Sequence, residues 1–365
     1  MTPLRVGVVG VGWAGQQHLD AYARIPGVEI AAIAGLELDQ RAELQARYDV
    51  RHAVDGWEEL LALGGLDAVS IAVPTFLHAP IATAALERGV HVLSEKPIAR
   101  TLDEAQAMVR AAQDAGRVLD VVFNHRRRGD IQTLKGMIDE GRLGRPYYAK
   151  AFWMRRSGIP TMGSWFTRSQ LAGGGPLMDI GVHVLDYALF LLGTPAVATV
   201  SASTYDLLGQ AGFGSSASSD KTGDDGSGAF DVEDLATVFV RLEDGGTLLL
   251  EASWAAHRTE GDEFGITLFG TGGGAHLNVF DYAPRGDLHV YGDEGGRPIA
   301  AQVPVEPGPG HRAVVADFVA TVRSGDWEGH DGSAAAELAR IIDACYRSAA
   351  ERREIALEPA PARPA

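Results

Sequence analysis

The chain has 365 residues, of which 46% are hydrophobic and 22% charged, and its formal net charge at pH 7 is −16. This length is more than one hydrophobic core usually serves, so it predicts two domains, and the composition excludes a largely disordered chain. The acidic balance argues against nucleic acid as a partner, and the lack of roughly 18 uninterrupted apolar residues argues against a membrane span.

The first third of the chain alternates short β-branched runs with helical patterns. Such alternation predicts βαβ units and a parallel sheet, so we predict an α/β protein that begins with a Rossmann domain. The last of these runs ends at residue 123, and residues 1–123 are predicted to form the NAD(P)-binding domain. The predicted strands of this domain are residues 4–9, 28–34, 68–73, 91–93 and 118–123.

The first predicted strand is followed by the sequence GVGWAG, which begins at Gly10 and opens a helix. In a Rossmann domain Gly10 would make the tight turn, Gly12 would let the backbone approach a pyrophosphate, and Gly15 would let helix and strand pack closely. At the start of a βαβ series this pattern predicts dinucleotide binding. Trp13 and Ala14 belong to the same turn and are candidate cofactor-binding residues.

The residue that binds the adenosine ribose is expected about 20 positions further along the chain, at the end of the second strand. Gly35 stands nearest that position, and Glu37 is the neighbouring carboxylate. Glu37 favours NAD, because its charge would repel the 2′-phosphate of NADP. Arg41 could instead meet that phosphate. The sequence therefore favours NAD slightly and leaves NADP open.

Lys96 follows the predicted strand 91–93, at the edge where open parallel sheets bind their ligands. A lysine ammonium beside a reacting carbon would stabilise the negative charge that develops on its oxygen. Lys96 is therefore a candidate catalytic residue. The alternative is a surface lysine that precedes the turn proline, Pro97.

Residues 177–192, with the sequence LMDIGVHVLDYALFLL, are predicted to form a buried helix on which Asp179, His183 and Asp186 share one face. Burying such groups is unfavourable unless they are paired or used. His183 could take the proton of a substrate hydroxyl, while Asp179 orients the imidazole or binds a hydroxyl. A structural Asp–His pair that bridges two helices is the alternative.

Residues 124–357 are predicted to form an α+β domain with an open, largely antiparallel sheet. Residues 209–229 are rich in Gly, Ser and Asp and predict a mobile loop in this domain, and residues 358–365 predict a frayed tail. The predicted elements of the domain are helices at 131–140 and 177–192 and strands at 235–242 and 247–254.

Taken together, these motifs resemble those of the glucose-fructose oxidoreductase and inositol dehydrogenase (Gfo/Idh/MocA) family. The resemblance extends over nearly the whole chain, and the combination is far more specific than any one motif. The matching residues are the glycine turn at 10–15, Val73-Pro74-Thr75 with His78, Glu95-Lys96-Pro97, Asn124-His125-Arg126, residues 141–144, and 173–175 through Asp179, His183 and Asp186.

The resemblance implies an NAD(P)-dependent oxidoreductase that transfers hydride between nicotinamide and a hydroxyl or keto carbon of a sugar, cyclitol or related polyol. It implies a homodimer or homotetramer, and a catalytic group of Lys96, Asp179 and His183. Arg126, Arg155, Arg156, Trp165 and His257 could each reach a polar ligand. The candidate substrate-binding residues are Lys96, Arg126, Arg156, Asp179 and His183. The residues that the resemblance implies for the cofactor site are Pro74, Thr75, His78, Glu95, Lys96, Asn124 and Trp165.

Two other functions stay open. The protein could be an enzyme that recycles bound NAD while it hydrolyses or epimerises a glycoside, or an NAD(P)-binding sensor that has lost catalysis. No metal is expected, because no histidine–carboxylate cluster beyond Asp179 and His183 has recognisable ligand spacing. The single cysteine, Cys345, and a strand that begins at Leu4, which leaves no room for a leader, predict a cytoplasmic protein.

Overall fold

The structure, a computed structural model, describes residues 2–214 and 229–358. The chain forms two compact units, of which the first comprises Met1–Asn124 with Pro309–Ala339 and the second comprises His125–Gly308 with Arg340–Ala365. The fold is α/β, with a parallel Rossmann sheet in the first unit and a largely antiparallel sheet in the second. None of the described helices is both long and apolar enough to cross a membrane.

The sheet of the first unit has six parallel strands in the order β3-β2-β1-β4-β5-β6. The strand order reverses between β1 and β4, which is the position where doubly wound sheets bind their ligands. The strands are β1 (Leu4–Val9), β2 (Val28–Ala34), β3 (His52–Val54), β4 (Ala68–Ile71), β5 (His91–Ser94) and β6 (Leu119–Val121). The helices between them are α1 (Trp13–Tyr22), α2 (Leu38–Arg47), α3 (Trp57–Ala62), α4 (His78–Leu86) and α5 (Leu102–Ala115).

The local sequence explains these elements. Strand β4 is buried along its whole length, as a parallel strand covered on both faces must be. Helix α5 begins where the Thr101 hydroxyl accepts a hydrogen bond from the Glu104 backbone N–H, and it ends at Gly116, which adopts a left-handed conformation with φ of 56°. Strand β3 was not predicted from the sequence, because its three residues are too few to show an alternating pattern.

The sheet of the second unit has nine strands in the order β14-β13-β12-β11-β7-β10-β9-β8-β15. Strands β7 and β10 run parallel, and the other neighbours run antiparallel. The strands are β7 (Pro146–Arg155), β8 (Val197–Tyr205), β9 (Leu235–Leu242), β10 (Thr247–Ser253), β11 (Asp262–Gly270), β12 (Gly274–Phe280), β13 (Asp287–Glu294), β14 (Arg297–Val303) and β15 (Ile355–Ala356). The helices are α6 (Gly129–Asp139), α7 (Ser169–Ala172), α8 (Val182–Leu191) and α9 (Leu207–Gln210).

One face of this sheet is covered and the other is open. Ala149, Ala151 and Trp153 alternate along β7 and are buried, and α8 packs against β7 and β10. The opposite face carries the Lys150–Glu251 ion pair, whose Nζ and Oε2 atoms are 3.1 Å apart. A shallow groove on this open face contains none of the predicted site residues.

The predicted extent of the second domain, 124–357, is wrong over residues 309–339. These residues belong to the first unit, where α10 (His311–Ser324) lies against α1. Val315 and Phe318 of α10 are buried in the core of the Rossmann unit. An apolar stripe on a helix shows that the helix must be covered, but it does not show which sheet covers it. The next helix is α11 (Ser333–Glu351).

The predicted loop at 209–229 is described only at its two ends, and residues 215–228 lie outside the described ranges. Its beginning is ordered, because the backbone N–H groups of Leu208 and Gly209 donate to the Asp234 carboxylate at 2.7 and 2.8 Å. The Phe213 ring also packs against the His257 imidazole, with centroids 4.7 Å apart. In the predicted tail, residues 359–365 lie outside the described ranges as well.

Candidate functional site

Five of the residues predicted to bind the cofactor follow strands at one edge of the first sheet. Gly10 follows β1, Glu37 follows β2, Pro74 follows β4, Lys96 follows β5 and Asn124 follows β6. These are the carboxyl ends of parallel strands, and they meet at the same edge. Open α/β sheets bind ligands there.

The glycine turn has the geometry that a phosphate needs. Gly10 has a φ of 99°, and a Cβ atom on it would stand 2.0 Å from the Ala72 carbonyl oxygen. A Cβ atom on Gly15 would stand 1.9 Å from the Gly10 carbonyl oxygen. A Cβ atom on Gly12, in contrast, would meet no described atom within 4 Å. Gly12 thus opens to free space at the beginning of α1, where backbone N–H groups and the helix dipole favour a pyrophosphate.

The first turn of α1 contains the two other residues that were predicted for this loop. Helix α1 begins at Trp13, and Ala14 follows it. The Trp13 side chain is 65% exposed, and its ring stands edge-on to the His311 imidazole with centroids 5.2 Å apart. A large exposed aromatic residue next to the open space at Gly12 is available to contact a bound molecule.

The ribose position after β2 differs from a standard Rossmann domain for a steric reason. A Cβ atom on Gly35 would stand 2.6 Å from a Val11 methyl group, so an aspartate at this position would collide. Glu37 is exposed at the beginning of α2. Arg41 donates to the Gly35 carbonyl at 2.7 Å and forms an ion pair with Asp55. The Arg41 guanidinium, which was the candidate to bind a 2′-phosphate, thus already has partners within the protein.

His78 lies between two loop segments of the first unit and contacts both. Its Nδ1 atom lies 2.8 Å from the Pro97 carbonyl oxygen, and its Nε2 atom lies 2.9 Å from the Val73 carbonyl oxygen. The residue is buried, and burial lowers the pKa of His78 although both carbonyls oppose this. The neutral ring has one N–H, which donates to one of the two carbonyls, so the imidazole lies between the segment after β4 and the segment after β5. Both nitrogens face carbonyl oxygens of the protein and not the predicted cofactor. Thr75 is buried in the turn just before it.

The Glu95 carboxylate also interacts with other residues of the protein. Its carboxylate lies 3.1 Å from the Nε2 atom of His18 and 3.5 Å from that of His311, and it accepts the backbone N–H of Lys96 at 3.2 Å. Burial alone would raise the pKa of Glu95, but hydrogen bonds and charges of the two histidines hold it well below its usual range. Glu95 thereby fixes the main chain at Lys96. His311 was missed by sequence reasoning, because it lies 216 positions beyond Glu95.

The predicted helix 177–192 is two structures in succession. Leu177–Gly181 forms a π-helical turn, and α8 follows it. The Glu233 carboxylate accepts the backbone N–H of Gly175 at 2.9 Å and that of Leu177 at 3.0 Å, so a distant side chain fixes the helix entry. Single π turns in helices are often found at functional sites, and here the turn contains Asp179.

Asp179 and His183 lie among aromatic side chains of the second unit. One Asp179 carboxylate oxygen accepts the indole N–H of Trp254 at 3.0 Å. The His183 ring is 6% exposed and lies 4.5 Å from the His125 ring and 6.0 Å from the Trp153 ring, measured between centroids. The carboxylate and the imidazole are thus held in a largely apolar wall, where electrostatic interactions are strong.

Two arginines predicted to bind substrate have other partners. The Nε atom of Arg126 lies 2.8 and 2.7 Å from the two carboxylate oxygens of Asp186, which is fully buried and needs this charge. Arg156 is exposed and donates to the Arg258 carbonyl at 2.5 Å. The third member of the predicted helix face, Asp186, is therefore part of a structural ion pair.

Arg155 is the arginine that lies beside Asp179. It donates to Asp262 at 2.8 Å and to the Tyr282 hydroxyl at 2.9 Å, and the Trp153 indole N–H donates to the same Asp262 at 2.7 Å. Burial alone would lower the pKa of Arg155, but Tyr282 and the carboxylates of Asp262 and Asp179 raise it above its ordinary value. The guanidinium is therefore charged, and its field acts on Asp179.

Trp165 begins a short helical turn, Trp165–Thr167, in the second unit. Its ring stacks on the Phe166 ring, with centroids 3.7 Å apart. Thr167 anchors the segment by donating to the Ala229 carbonyl at 2.8 Å. Within residues 2–214 and 229–358, no group of three or more His, Cys, Asp or Glu side chains is arranged to hold a metal ion.

Comparison with known proteins assigns both units. Residues 4–123 match the Gfo/Idh/MocA oxidoreductase family, NAD-binding Rossmann fold, and residues 131–276 match the Gfo/Idh/MocA C-terminal domain. Over 296 residues the chain is 33% identical to D-glucoside 3-dehydrogenase of Escherichia coli (strain K12), which covers 81% of this chain and 80% of that protein. The chain belongs to the Gfo/Idh/MocA family. The predicted family, α/β fold and oxidoreductase class are confirmed.

Further relatives of this Gfo/Idh/MocA protein are similar over most of its length. It is 32% identical over 304 residues to levoglucosan dehydrogenase of Pseudarthrobacter phenanthrenivorans, covering 80% of this chain and 76% of that protein. The solved structure of levoglucosan dehydrogenase in complex with NADH and L-sorbose superposes with a TM-score of 0.82 at 28% identity, covering 98% of this chain and 100% of that chain. The first unit is thus an NAD-binding Rossmann domain, and the prediction of a nicotinamide cofactor is confirmed.

Proposed function

We propose that this protein is an NAD-dependent dehydrogenase or reductase that acts on a hydroxyl or keto carbon of a sugar, cyclitol or related polyol. The relatives named for D-glucoside and levoglucosan oxidation, which align with most of the chain, carry this proposal. The Asp179 and His183 group supports it, because a fixed carboxylate four positions before a buried imidazole is suited to a reaction that moves a hydroxyl proton.

We assign each group a role. NAD, when bound, supplies the hydride acceptor for oxidation. His183 takes the proton of the substrate hydroxyl during oxidation and returns it during reduction. Lys96 stabilises the negative charge on the same oxygen with its ammonium group. Asp179, held by the Trp254 indole, accepts a hydrogen bond from a sugar hydroxyl and thereby orients the substrate.

NAD is the proposed cofactor in preference to NADP. Exposed Glu37 at the beginning of α2 offers a carboxylate to ribose hydroxyls and would repel a 2′-phosphate. Arg41 supports the same choice, because it already bonds to the Gly35 carbonyl and Asp55. The glycine turn suits the pyrophosphate of either dinucleotide.

A cytoplasmic location and a homodimeric or homotetrameric state stay predictions. The open face of the second sheet supports assembly through that face. Tyr148, Phe269 and Tyr291 lie in register across β7, β11 and β13, and Phe269 and Tyr291 are 46% and 43% exposed. Rows of exposed aromatic residues are characteristic of contact surfaces between proteins.

The proposed function is tested with a panel of purified substrates. Methyl glucosides, levoglucosan, 1,5-anhydro sugars and inositols are offered with NAD and with NADP separately, and cofactor reduction is followed by absorbance. We expect NAD reduction with at least one cyclic sugar and a much slower reaction with NADP. Tightly retained cofactor with no net turnover of any sugar would favour the recycling enzyme instead.

A further inference from the structure

We propose that Tyr282 and Arg155 form a recognition surface that selects ring-closed sugars, with the Tyr282 ring against the C–H face of a six-membered ring. This inference rests on the proposed function and specifies its substrate class. Three observations support the inference: Tyr282 lies in an unusual turn, other residues hold this turn in place, and the turn is close to Asp179 and His183.

The backbone at Tyr282 adopts a conformation that tyrosine rarely adopts. Asp281 and Tyr282 have φ angles of 47° and 53°, and the Ala283 backbone N–H donates to the Phe280 carbonyl at 2.8 Å. Two central residues with positive φ in such a turn favour asparagine and glycine. A bulky residue persists at such a position only when its surroundings hold it, and such outliers occur preferentially where side chains have a function.

Several contacts hold the Tyr282 side chain. Its hydroxyl accepts a hydrogen bond from Arg155 at 2.9 Å, and its ring stands edge-on to the Trp153 ring with centroids 5.2 Å apart. The Asp281 backbone N–H donates to the Asp262 carbonyl at 2.8 Å. Tyr282 is nevertheless 51% exposed. The side chain is thus fixed in orientation while much of its surface stays open to a ligand.

Tyr282 is a near neighbour of the proposed catalytic residues of the second unit. The Trp153 ring centroid lies 5.2 Å from that of Tyr282 and 6.0 Å from that of His183. The charge of Asp179 acts on both Arg155 and Tyr282. A substrate whose hydroxyl meets His183 and Asp179 would therefore extend its ring toward Tyr282.

The chemistry of the pair fits a cyclic sugar. The Tyr282 oxygen accepts from Arg155, so its own proton is left to donate to a sugar oxygen. The ring of Tyr282 offers an apolar surface to the C–H face of a pyranose, as aromatic residues in ligand pockets do. An open-chain polyol has no such face and gains little from it.

The experiment compares three variants on two matched probes. 1,5-Anhydro-D-glucitol and D-glucitol share their carbon chain and stereochemistry, but only the first has a closed ring, and methyl β-D-glucopyranoside is a second cyclic probe. Tyr282→Gly removes the ring and suits the turn. Tyr282→Phe removes only the hydroxyl. Asp281→Gly is the control, because it introduces glycine at the neighbouring position of positive φ and keeps the ring.

We expect the wild type to prefer the cyclic probes. Tyr282→Gly should lower kcat/KM on the cyclic probes by about 10-fold to 100-fold and change D-glucitol oxidation little. Tyr282→Phe should lower kcat/KM on the cyclic probes by about fivefold to 10-fold. Asp281→Gly should retain wild-type kinetics. The melting temperature and the NAD Kd of Tyr282→Gly should match those of Asp281→Gly.

Three results would overturn the inference. Wild-type kcat/KM of Tyr282→Gly on the cyclic probes would show that the ring does not meet substrate. A loss of activity that is matched by weaker NAD binding and a lower melting temperature would show that Tyr282 acts only in folding. Oxidation of D-glucitol without oxidation of any cyclic probe would overturn the inference and leave the proposed function standing. Failure of the wild type to oxidise any sugar, cyclitol or polyol is a different outcome, since it contradicts the proposed function itself.

Discussion

Lys96 is one of only four lysines in the chain, and it follows β5 at the ligand-binding edge of the first sheet. We predict that Lys96→Ala lowers kcat by about 100-fold or more, because the developing charge on the substrate oxygen loses its cation. NAD should still bind with nearly the wild-type Kd. Lys135→Ala is the matched control, since Lys135 pairs with Asp139 on the surface of α6. Normal turnover of Lys96→Ala would refute the assigned role.

His91 predicts a pH dependence of stability in the first unit. Its Nδ1 atom accepts the Val118 backbone N–H at 3.0 Å, and burial, with the charge of Arg117, lowers the pKa of His91 from 6.5 to about 4. Between these values the unfolded chain binds more protons, so stability is complete above pH 6.5 and falls as the pH falls toward 4. At pH 5 the expected loss is about 2 kcal/mol.

This contribution is measured with His91→Gln, which keeps an acceptor for Val118 but does not titrate. Between pH 7 and pH 5 the free energy of unfolding of the wild type should fall by about 2 kcal/mol more than that of the variant. Parallel pH profiles of the two proteins would show that His91 does not contribute in this way.

Sequence reasoning names a single residue as a candidate where its chemistry belongs to a short motif. Gly10, Lys96 and His183 are of this kind. Arg155 and Tyr282 are not, because Arg155 bonds to Asp262, which lies opposite it only in the register of β7 with β11, and Tyr282 bonds to Arg155. A shift of one residue exchanges the faces of a strand, which is why Arg156 was as plausible as Arg155 before the register was known.

At the scale of elements, the glycine turn predicts that two similar substitutions both weaken NAD binding but differ in their effect on folding. A Cβ atom on Gly15 would stand 1.9 Å from the Gly10 carbonyl oxygen, so Gly15→Ala should lower the melting temperature and abolish NAD binding together. A Cβ atom on Gly12 meets no described atom within 4 Å, so Gly12→Ala should fold normally. Its methyl group would occupy the phosphate space and raise the NAD Kd by about 10-fold or more.

Thermal melting and titration with NADH check both variants. Each serves as the control for the other, because both add one methyl group to the same turn. A Gly12→Ala variant that binds NADH as tightly as the wild type would place the pyrophosphate elsewhere.

Most elements of the first unit follow from its sequence, because short buried runs alternate with amphipathic helices. The π-helical turn Leu177–Gly181 does not follow from the sequence. Its apolar periodicity continues smoothly into α8, and the carboxylate that fixes its entry comes from Glu233, which is distant in the chain. Local patterns report which face of a helix is buried but not which distant group alters its hydrogen bonding.

For the whole molecule, the main result about organisation is that the first unit includes a segment from near the end of the chain. Phe318 of α10 is 1% exposed in the Rossmann core. We predict that Phe318→Ala lowers the free energy of unfolding of the first unit by about 3–5 kcal/mol. Exposed Arg312 on the same helix is the control, and Arg312→Ala should change stability by less than about 0.5 kcal/mol.

Denaturant unfolding of the full chain checks this prediction, with and without NAD. Saturating NAD should raise the stability of the Phe318→Ala variant, because the ligand binds the folded unit that α10 completes. A variant with wild-type stability would mean that α10 is not part of the Rossmann core.

The central claim is that hydride moves between nicotinamide and a carbon of a sugar that bears a hydroxyl group. Its most direct test uses methyl β-D-glucopyranoside that carries deuterium at every carbon bearing a hydroxyl group, with NAD and the full chain. Mass spectrometry of the NADH product should find one deuterium, transferred from the sugar to NAD. The appearance of NADH without deuterium, or of a sugar product with no NADH formed, would contradict the account.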